Sequence, residues 1–250
     1  MCLILVAWQV HPDYPLVVAA NRDEFHARPA APAARWTEAG HVLAGRDLEA
    51  GGTWLGVTEN GRFAAVTNVR EPGAPKGAVS RGHLTRDFLM GAMPPGDFAA
   101  SLSDTAYSGF NLLVADAETL CYRSNRDGSA RELPPGIYGV SNHLLDTPWP
   151  KLATAKARFS VALASLPERE SFFDLLADDE IVPDECLPAT GVPLEWERRL
   201  SAVFVRSPGY GTRASTLLLR RADGSGILIE RSFGTEADVA GEVCLPFRRR

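Results

Sequence analysis

Met1-Cys2-Leu3-Ile4-Leu5-Val6-Ala7-Trp8-Gln9-Val10 opens the chain, and the reading of this run decides the fold. Residues 2–10 are almost continuously apolar and are closed by the turn cluster His11-Pro12-Asp13-Tyr14-Pro15. So short a run with such a boundary predicts a buried β-strand. Leu16 to Ala20 predicts the return strand of a hairpin beside Cys2, ending in Asn21-Arg22-Asp23-Glu24. The cysteine has a second significance. It is small enough for an aminopeptidase to remove Met1, which leaves an α-amine beside the thiol. An α-amine titrates near ~8 and a thiol near ~8.5, so one residue then carries both a nucleophile and a base. The plainer reading is a small apolar residue that opens a strand.

Composition narrows the class. The chain has 250 residues, 45% hydrophobic and 23% charged, an ordinary globular composition with enough length for a large core. The net charge of −5 and the short tail Arg248-Arg249-Arg250 give no footing for nucleic acid. Cys2, Cys121, Cys186 and Cys244 are far apart and form no CxxC pair, so neither a metal site nor a disulfide framework is expected. This use of cysteine fits a reducing compartment. No apolar run approaches the ~18 residues of a membrane span, and residues 2–10 lack the basic flank of a signal peptide. The expectation is a cytoplasmic protein that does not span a membrane. Oligomeric state is not legible.

Further along, residues 28–41, rich in Ala and Pro, predict an irregular loop. Gly51-Gly52-Thr53-Trp54-Leu55-Gly56-Val57 leads into a strand, Asn60-Gly61 turns it, and Phe63 to Thr67 returns, ending at Asn68-Val69-Arg70. Helices are expected from Ser80 to Met90 and from Asp97 to Leu102, then strands at Phe110–Ala115, Leu120–Arg123 and Gly136–Ser141, the last closed by Asn142-His143. Pro148-Trp149-Pro150 opens a helix to about Leu166, and shorter helices follow from Ser171 and Leu194. Ala202–Val205, Thr212–Arg220 and Ile227–Phe233 read as strands. No repeat or linker divides the chain, so one domain over 1–250 is expected. Many hairpins broken by two helical blocks suggest an α+β layered domain.

Four strand ends carry polar residues of the kind a nucleophile needs: Asn21/Asp23, Asn68, Asn142 and Thr212/Arg213. Asn amides donate to an oxyanion, an Asp can position an ammonium, and an Arg favours a thiolate. Each is also ordinary strand-end chemistry. The five histidines are scattered, and the glycine-rich pieces do not match phosphate-binding loops.

These stretches, together with Ser80-Arg81-Gly82, Phe110-Asn111-Leu112-Leu113, Gly139-Val140-Ser141-Asn142 and Tyr210-Gly211-Thr212-Arg213-Ala214-Ser215-Thr216, resemble in order the NRDE family, also called the transport and Golgi organisation protein 2 family. A more distant resemblance is to cysteine N-terminal nucleophile (Ntn) hydrolases of the choloylglycine hydrolase and penicillin V acylase group. It implies a four-layer αββα sandwich with two antiparallel sheets. It also implies catalytic roles for Cys2 as nucleophile, Asp23 at the α-amine, Asn68 at the oxyanion, Asn142 as a second asparagine, and Arg213. Asn21, Arg22, Trp54, Arg70 and His143, in the same motifs, are the candidate substrate-binding residues. One position departs. The hydrolases carry Arg directly before Asn-x-Asp, where this chain has Ala20, and Arg22 inside the motif is expected on the opposite face of the strand. The function implied is hydrolysis of a non-peptide C–N amide without a resident cofactor. The alternative is a haem or acyl-CoA/lipid trafficking protein on the same fold, although no CP-type haem motif is present.

Overall fold

The computed structural model of the protein describes residues 2–128 and 130–248. Removal of Met1 and the end of the arginine tail lie outside the described residues. In chain order the strands are β1 (Cys2–Trp8), β2 (Leu16–Phe25), β3 (Ala30–Arg35), β4 (Val42–Asp47), β5 (Leu55–Thr58), β6 (Phe63–Asn68), β7 (Phe110–Ala115), β8 (Leu120–Ser124), β9 (Ala130–Glu132), β10 (Gly136–Val140), β11 (Arg206–Ser207), β12 (Tyr210–Arg220), β13 (Ser225–Phe233) and β14 (Val239–Arg248). The helices are α1 (Gly82–Met90), α2 (Pro95–Ser101), α3 (Pro150–Ala162), α4 (Glu170–Leu176) and α5 (Leu194–Arg199).

Among the described residues these strands form two antiparallel seven-stranded sheets. One runs β10-β1-β2-β12-β13-β14, with β11 on β12, and the other runs β3 through β9 in sequence order. The alternation along β1 shows how they stack. Ile4, Val6 and Trp8 pack between the sheets against Leu55, Phe63 and Leu113. Leu3, Leu5 and Ala7 face the other way, onto Leu152 and Phe159 of α3 and Phe172 and Leu176 of α4. The outer face of the second sheet, with Ala64, Val66, Leu112 and Val114, carries Leu84 and Phe88 of α1 and Ala99 of α2. The order of layers is therefore αββα. It explains the unbroken apolar run at the N-terminus: a strand covered on both faces needs no polar alternation. Leu3, Leu5 and Val6 are fully buried, and each such side chain contributes about 1.5–3 kcal/mol.

Two expectations are corrected. Residues 28–41 contain β3, which tolerates Pro32 because it is an edge strand whose register slips between Ala31 and Ala34. Ala202–Val205 is buried but not a strand; Val203 packs with α3 and α4 on the helical side of the first sheet, and Phe204 N–H donates to the Asp178 carbonyl at 2.7 Å. Val239–Arg248, for which no element was expected, forms β14, a mostly exposed edge strand that pairs with β13 through Pro246.

Candidate active site

The antiparallel registers bring the polar strand ends to one edge of the sandwich. Cys2 at the start of β1 is the cross-strand partner of Arg22, and Thr212 near the start of β12 is the partner of Asp23. Asn68 ends β6 on the facing sheet, and Ser141 and Asn142 follow β10. A cavity of about 460 Å³ opens here, lined by Cys2, Arg22, Asp23, Glu24, Trp54, Thr67, Asn68, Ser80 and Arg81, among others.

Behind Cys2 lies Asp23. Its Oδ1 accepts a hydrogen bond from Thr212 Oγ1 at 2.7 Å, and its carbonyl accepts one from the Tyr210 hydroxyl at 3.2 Å. Thr212 reaches Asp23 because β12 bulges at Arg213, where the register shifts. Burial pushes the Asp23 carboxyl above its ordinary value, while the nearby Lys151, Thr212 and Arg22 pull it back. Lys151, in the first turn of α3, is buried and donates Nζ–H to the Leu200 carbonyl at 2.8 Å. Burial lowers its pKa to about 8, with Asp23 the foremost charge opposing the drop. The Cys2 thiol is pushed up by burial and by Asp23, and the Arg22 charge works against this.

Across the gap between the sheets, Asn142 after β10 and Asn68 at the end of β6 fix one another. Asn142 Nδ2 donates to Asn68 Oδ1 at 3.0 Å and to the Asn68 carbonyl at 3.1 Å. With its oxygen engaged, the Asn68 amide turns its NH2 end away from Asn142. Asn142 is itself held by Ser141 Oγ at 3.2 Å on its Oδ1, and the same hydroxyl contacts the Cys2 carbonyl at 2.9 Å. The following turn is tied to the facing sheet by Asn111 Nδ2, which donates to the His143 carbonyl at 2.9 Å.

Arg22 faces the space between the sheets, on the same face of β2 as Ala20 and opposite to Asn21. The expectation of an opposite face is corrected: positions 20 and 22 are two residues apart on one strand, so both point between the sheets. Arg22 stacks on Trp54, 4.4 Å from the ring centroid.

Other expected residues are placed elsewhere. Asn21 is buried, donates to the Leu176 and Val203 carbonyls at 2.8 and 2.9 Å, and accepts from Ser215 Oγ at 2.6 Å; it pins the end of α4 to the sheet and does not line the cavity. Arg213, expected beside the thiol, instead bonds the Phe25, His26 and Arg28 carbonyls at 3.1–3.3 Å and holds the turn after β2. Arg70 forms a buried ion pair with Glu197 at 2.6 Å under Trp149 and lines an adjacent groove. His143 contacts Thr147 Oγ1 at 2.9 Å on the surface. Sequence reasoning passed over Lys151 and Arg81. A lysine in the first turn of a helix opposes the helix dipole, and that anomaly was a usable signal. Among the described residues, no group of three His, Cys, Asp or Glu side chains is placed to hold a metal ion. No helix there is long and apolar enough to cross a membrane.

Two stacked antiparallel sheets between helical layers, headed by a cysteine at position 2, define a protein of the Ntn-hydrolase fold. Solved structures with this shape include a Caenorhabditis elegans N-acylethanolamine-hydrolyzing acid amidase ortholog, with TM-score 0.51 and 12% identity over 87% of this chain and 92% of that one. Another is the C2A mutant of a conjugated bile acid hydrolase from Clostridium perfringens, with TM-score 0.54 and 8% identity over 98% and 92%. At these identities the likeness concerns the fold. The chain belongs to the Transport and Golgi organisation 2 family, whose model matches residues 1–235. The Transport and Golgi organization protein 2 homologs of Bos taurus and Homo sapiens are 40% and 38% identical to it over 93% of both chains. The Drosophila melanogaster protein is 29% identical over 97% of this chain and 95% of its own.

Proposed function

We propose that the protein is a cysteine amidohydrolase that cleaves a non-peptide C–N amide. The observation that supports this best is the meeting of three units at one cavity: the Cys2 thiol, the Asp23–Thr212 pair behind it, and an Asn68 amide oriented by Asn142. After Met1 is removed, the α-amine of Cys2 takes the thiol proton as the sulfur attacks the carbonyl carbon. The neutral thiol that burial favours suits this order, because the charge is made only at the moment of attack. Asn68 donates to the oxyanion, and Asp23 holds the α-ammonium. The ammonium then protonates the departing amine as the C–N bond breaks. Water, deprotonated by the freed α-amine, cleaves the thioester and releases the carboxylic acid. The test is turnover of N-acyl amides: Cys2→Ala abolishes hydrolysis while the protein stays folded, and a Cys2→Ala protein that still turns over contradicts the mechanism.

A second reading, carriage of an acyl lipid without turnover, draws on the apolar wall of the adjacent groove formed by Phe25, Pro193, Trp196 and Leu200. It predicts equal binding by the intact and Cys2→Ala proteins and no product from either. The haem form of this reading has less to draw on, since of the described cysteines and histidines Cys2 alone lines the cavity or the groove.

A further inference from the structure

Of the stretches that carry the family resemblance, Phe110-Asn111-Leu112-Leu113 has no part in the reaction proposed above. Its Asn111 is 1% exposed on β7 and is the cross-strand partner of Thr67 on β6. Hydrogen bonds fix the direction of its amide. The Tyr122 hydroxyl accepts the Leu145 N–H at 3.2 Å, and its own proton goes to Asn111 Oδ1 at 2.7 Å. The other end of the amide, Nδ2, carries both donors. One goes to the His143 carbonyl at 2.9 Å and the other to Thr67 Oγ1 at 3.1 Å.

The consequence falls on Thr67, which is 2% exposed. An amide NH2 only donates, so Thr67 Oγ1 is the acceptor in that bond and its hydroxyl proton is directed elsewhere. Among the described residues that proton meets no acceptor. Phe63 and Ala65 of β6 point between the sheets, and Thr67 shares their face. Ile4, Val6 and Trp8 of β1 point there too, and Cys2 shares theirs. Cys2 and Thr67 thus project from opposite sheets, and both line the same cavity. A hydroxyl aimed by a buried amide needs little reorganisation when charge develops in front of it, which is what a preorganised oxyanion donor requires.

We propose that the Thr67 hydroxyl donates to the oxyanion beside Asn68, and that Asn111 is the positioning residue that aims it. The inference rests on Cys2 being the nucleophile of the reading above. As Cys2 Sγ bonds to the carbonyl carbon, the C=O π pair moves onto oxygen and the thiol proton goes to the α-amine. Thr67 and Asn68 hydrogen-bond this O⁻ and keep their own protons. The pair returns to re-form C=O as the bond to the leaving group breaks.

The experiment compares two reactions of one thiol. p-Nitrophenyl butyrate acylates Cys2 through an oxyanion, whereas iodoacetamide alkylates it at a saturated carbon, where no oxyanion forms. Acylation is read as p-nitrophenolate released in excess of the Cys2→Ala protein, and alkylation by peptide mass spectrometry at Cys2. Thr67→Val keeps the shape and removes the hydroxyl. It is expected to slow acylation roughly tenfold or more and to leave alkylation unchanged. Thr67→Ser is expected to recover most of the acylation rate. Asn111→Asp presents an acceptor to Thr67 in place of a donor, and is expected to slow acylation alone although the hydroxyl is intact. At either position, equal slowing of both reactions reveals a merely structural role and overturns the assignment. Acylation that Thr67→Val leaves unchanged, or an intact protein that the ester does not acylate, overturns it as well. If Thr67→Val does not fold, Thr67→Ala is judged by the same pair of rates. Turnover of N-acyl amides decides the amidohydrolase reading separately: the expected ester result with no amide turnover overturns that reading and leaves the Thr67 donor standing.

Discussion

Glu230 is a side chain whose environment is at odds with its charge. It lies on β13, 2% exposed, facing the space between the sheets. Its Oε1 accepts the Ala33 N–H of β3 at 2.6 Å, and its Oε2 accepts Thr216 Oγ1 at 3.4 Å. Burial raises its pKa from 4.5 to about 7. Between these values the folded chain keeps a proton that the unfolded chain has lost, so this group's contribution to stability falls as pH rises from about 4.5 to about 7. The rise from 4.5 to about 7 corresponds to about 3 kcal/mol. Denaturant midpoints at pH 5 and pH 8 test it. The native protein loses more stability across that interval than Glu230→Gln does, and parallel losses in the two proteins refute the assignment. At this scale sequence reading had mixed success. That Cys2, Asp23 and Asn68 lie at or near strand ends was legible, because each borders an apolar run. Arg213 was misplaced because a bulge at that residue cannot be read from a period of two. Glu230 was invisible, since an isolated glutamate in a strand reads as solvent-facing.

The elements matter to the site through their ends. The end of β6 and the turn after β10 belong to different sheets, and the Asn142–Asn68 contact joins them beside Cys2, together with Arg70 N–H donating to the Asn142 carbonyl at 2.7 Å. If Asn68 donates to the oxyanion, then Asn142 is a positioning residue whose loss misorients that donor. Asn142→Ala is expected to lower kcat by roughly 10²-fold, near the cost of removing one oxyanion donor, with a smaller change in KM. A change confined to KM contradicts this role. Element reading from sequence succeeded where burial is two-sided or a turn is chemically marked. β1 is the first case, and the Asn60-Gly61 hairpin between β5 and β6 is the second. It failed at the edge strands β3 and β14, although the edge strand β10 was read. β3 hides behind Pro32, and β14 exposes most of its residues, so neither carries an apolar signal. Ala202–Val205 misled for the converse reason: it is as buried as a strand, but its hydrogen bonds go to Asp178, Asn21 and Thr212 and form no ladder.

At the scale of the molecule, the cavity exists because two sheets are held in one relative position. Arg220 of β12 is a principal clamp. It is 4% exposed, and its Nη1 donates to the Gly61 carbonyl at 3.0 Å and to the Asp116 carbonyl, both in turns of the facing sheet. Burial lowers its pKa to about 10, so it stays cationic at neutral pH. Arg220→Met is expected to cost about 2–4 kcal/mol, the penalty of leaving buried carbonyls without their charged donor. Denaturant unfolding checks this, and a loss under 1 kcal/mol means that the sheets are held without it. The αββα order was reached from sequence only through the family resemblance. Periodicity gave the hairpins, but which faces meet is a property of contacts between distant strands.

The claim at the centre of this account is that Cys2 works as an N-terminal residue, with its own amine as the base. Intact-mass measurement of the purified protein, before and after brief incubation with an N-acyl amide, tests it most directly. The account predicts a chain that begins at Cys2 and a transient gain of one acyl group that is absent in Cys2→Ala. A protein that retains Met1, or one that hydrolyses the amide with Met1 still in place, contradicts it.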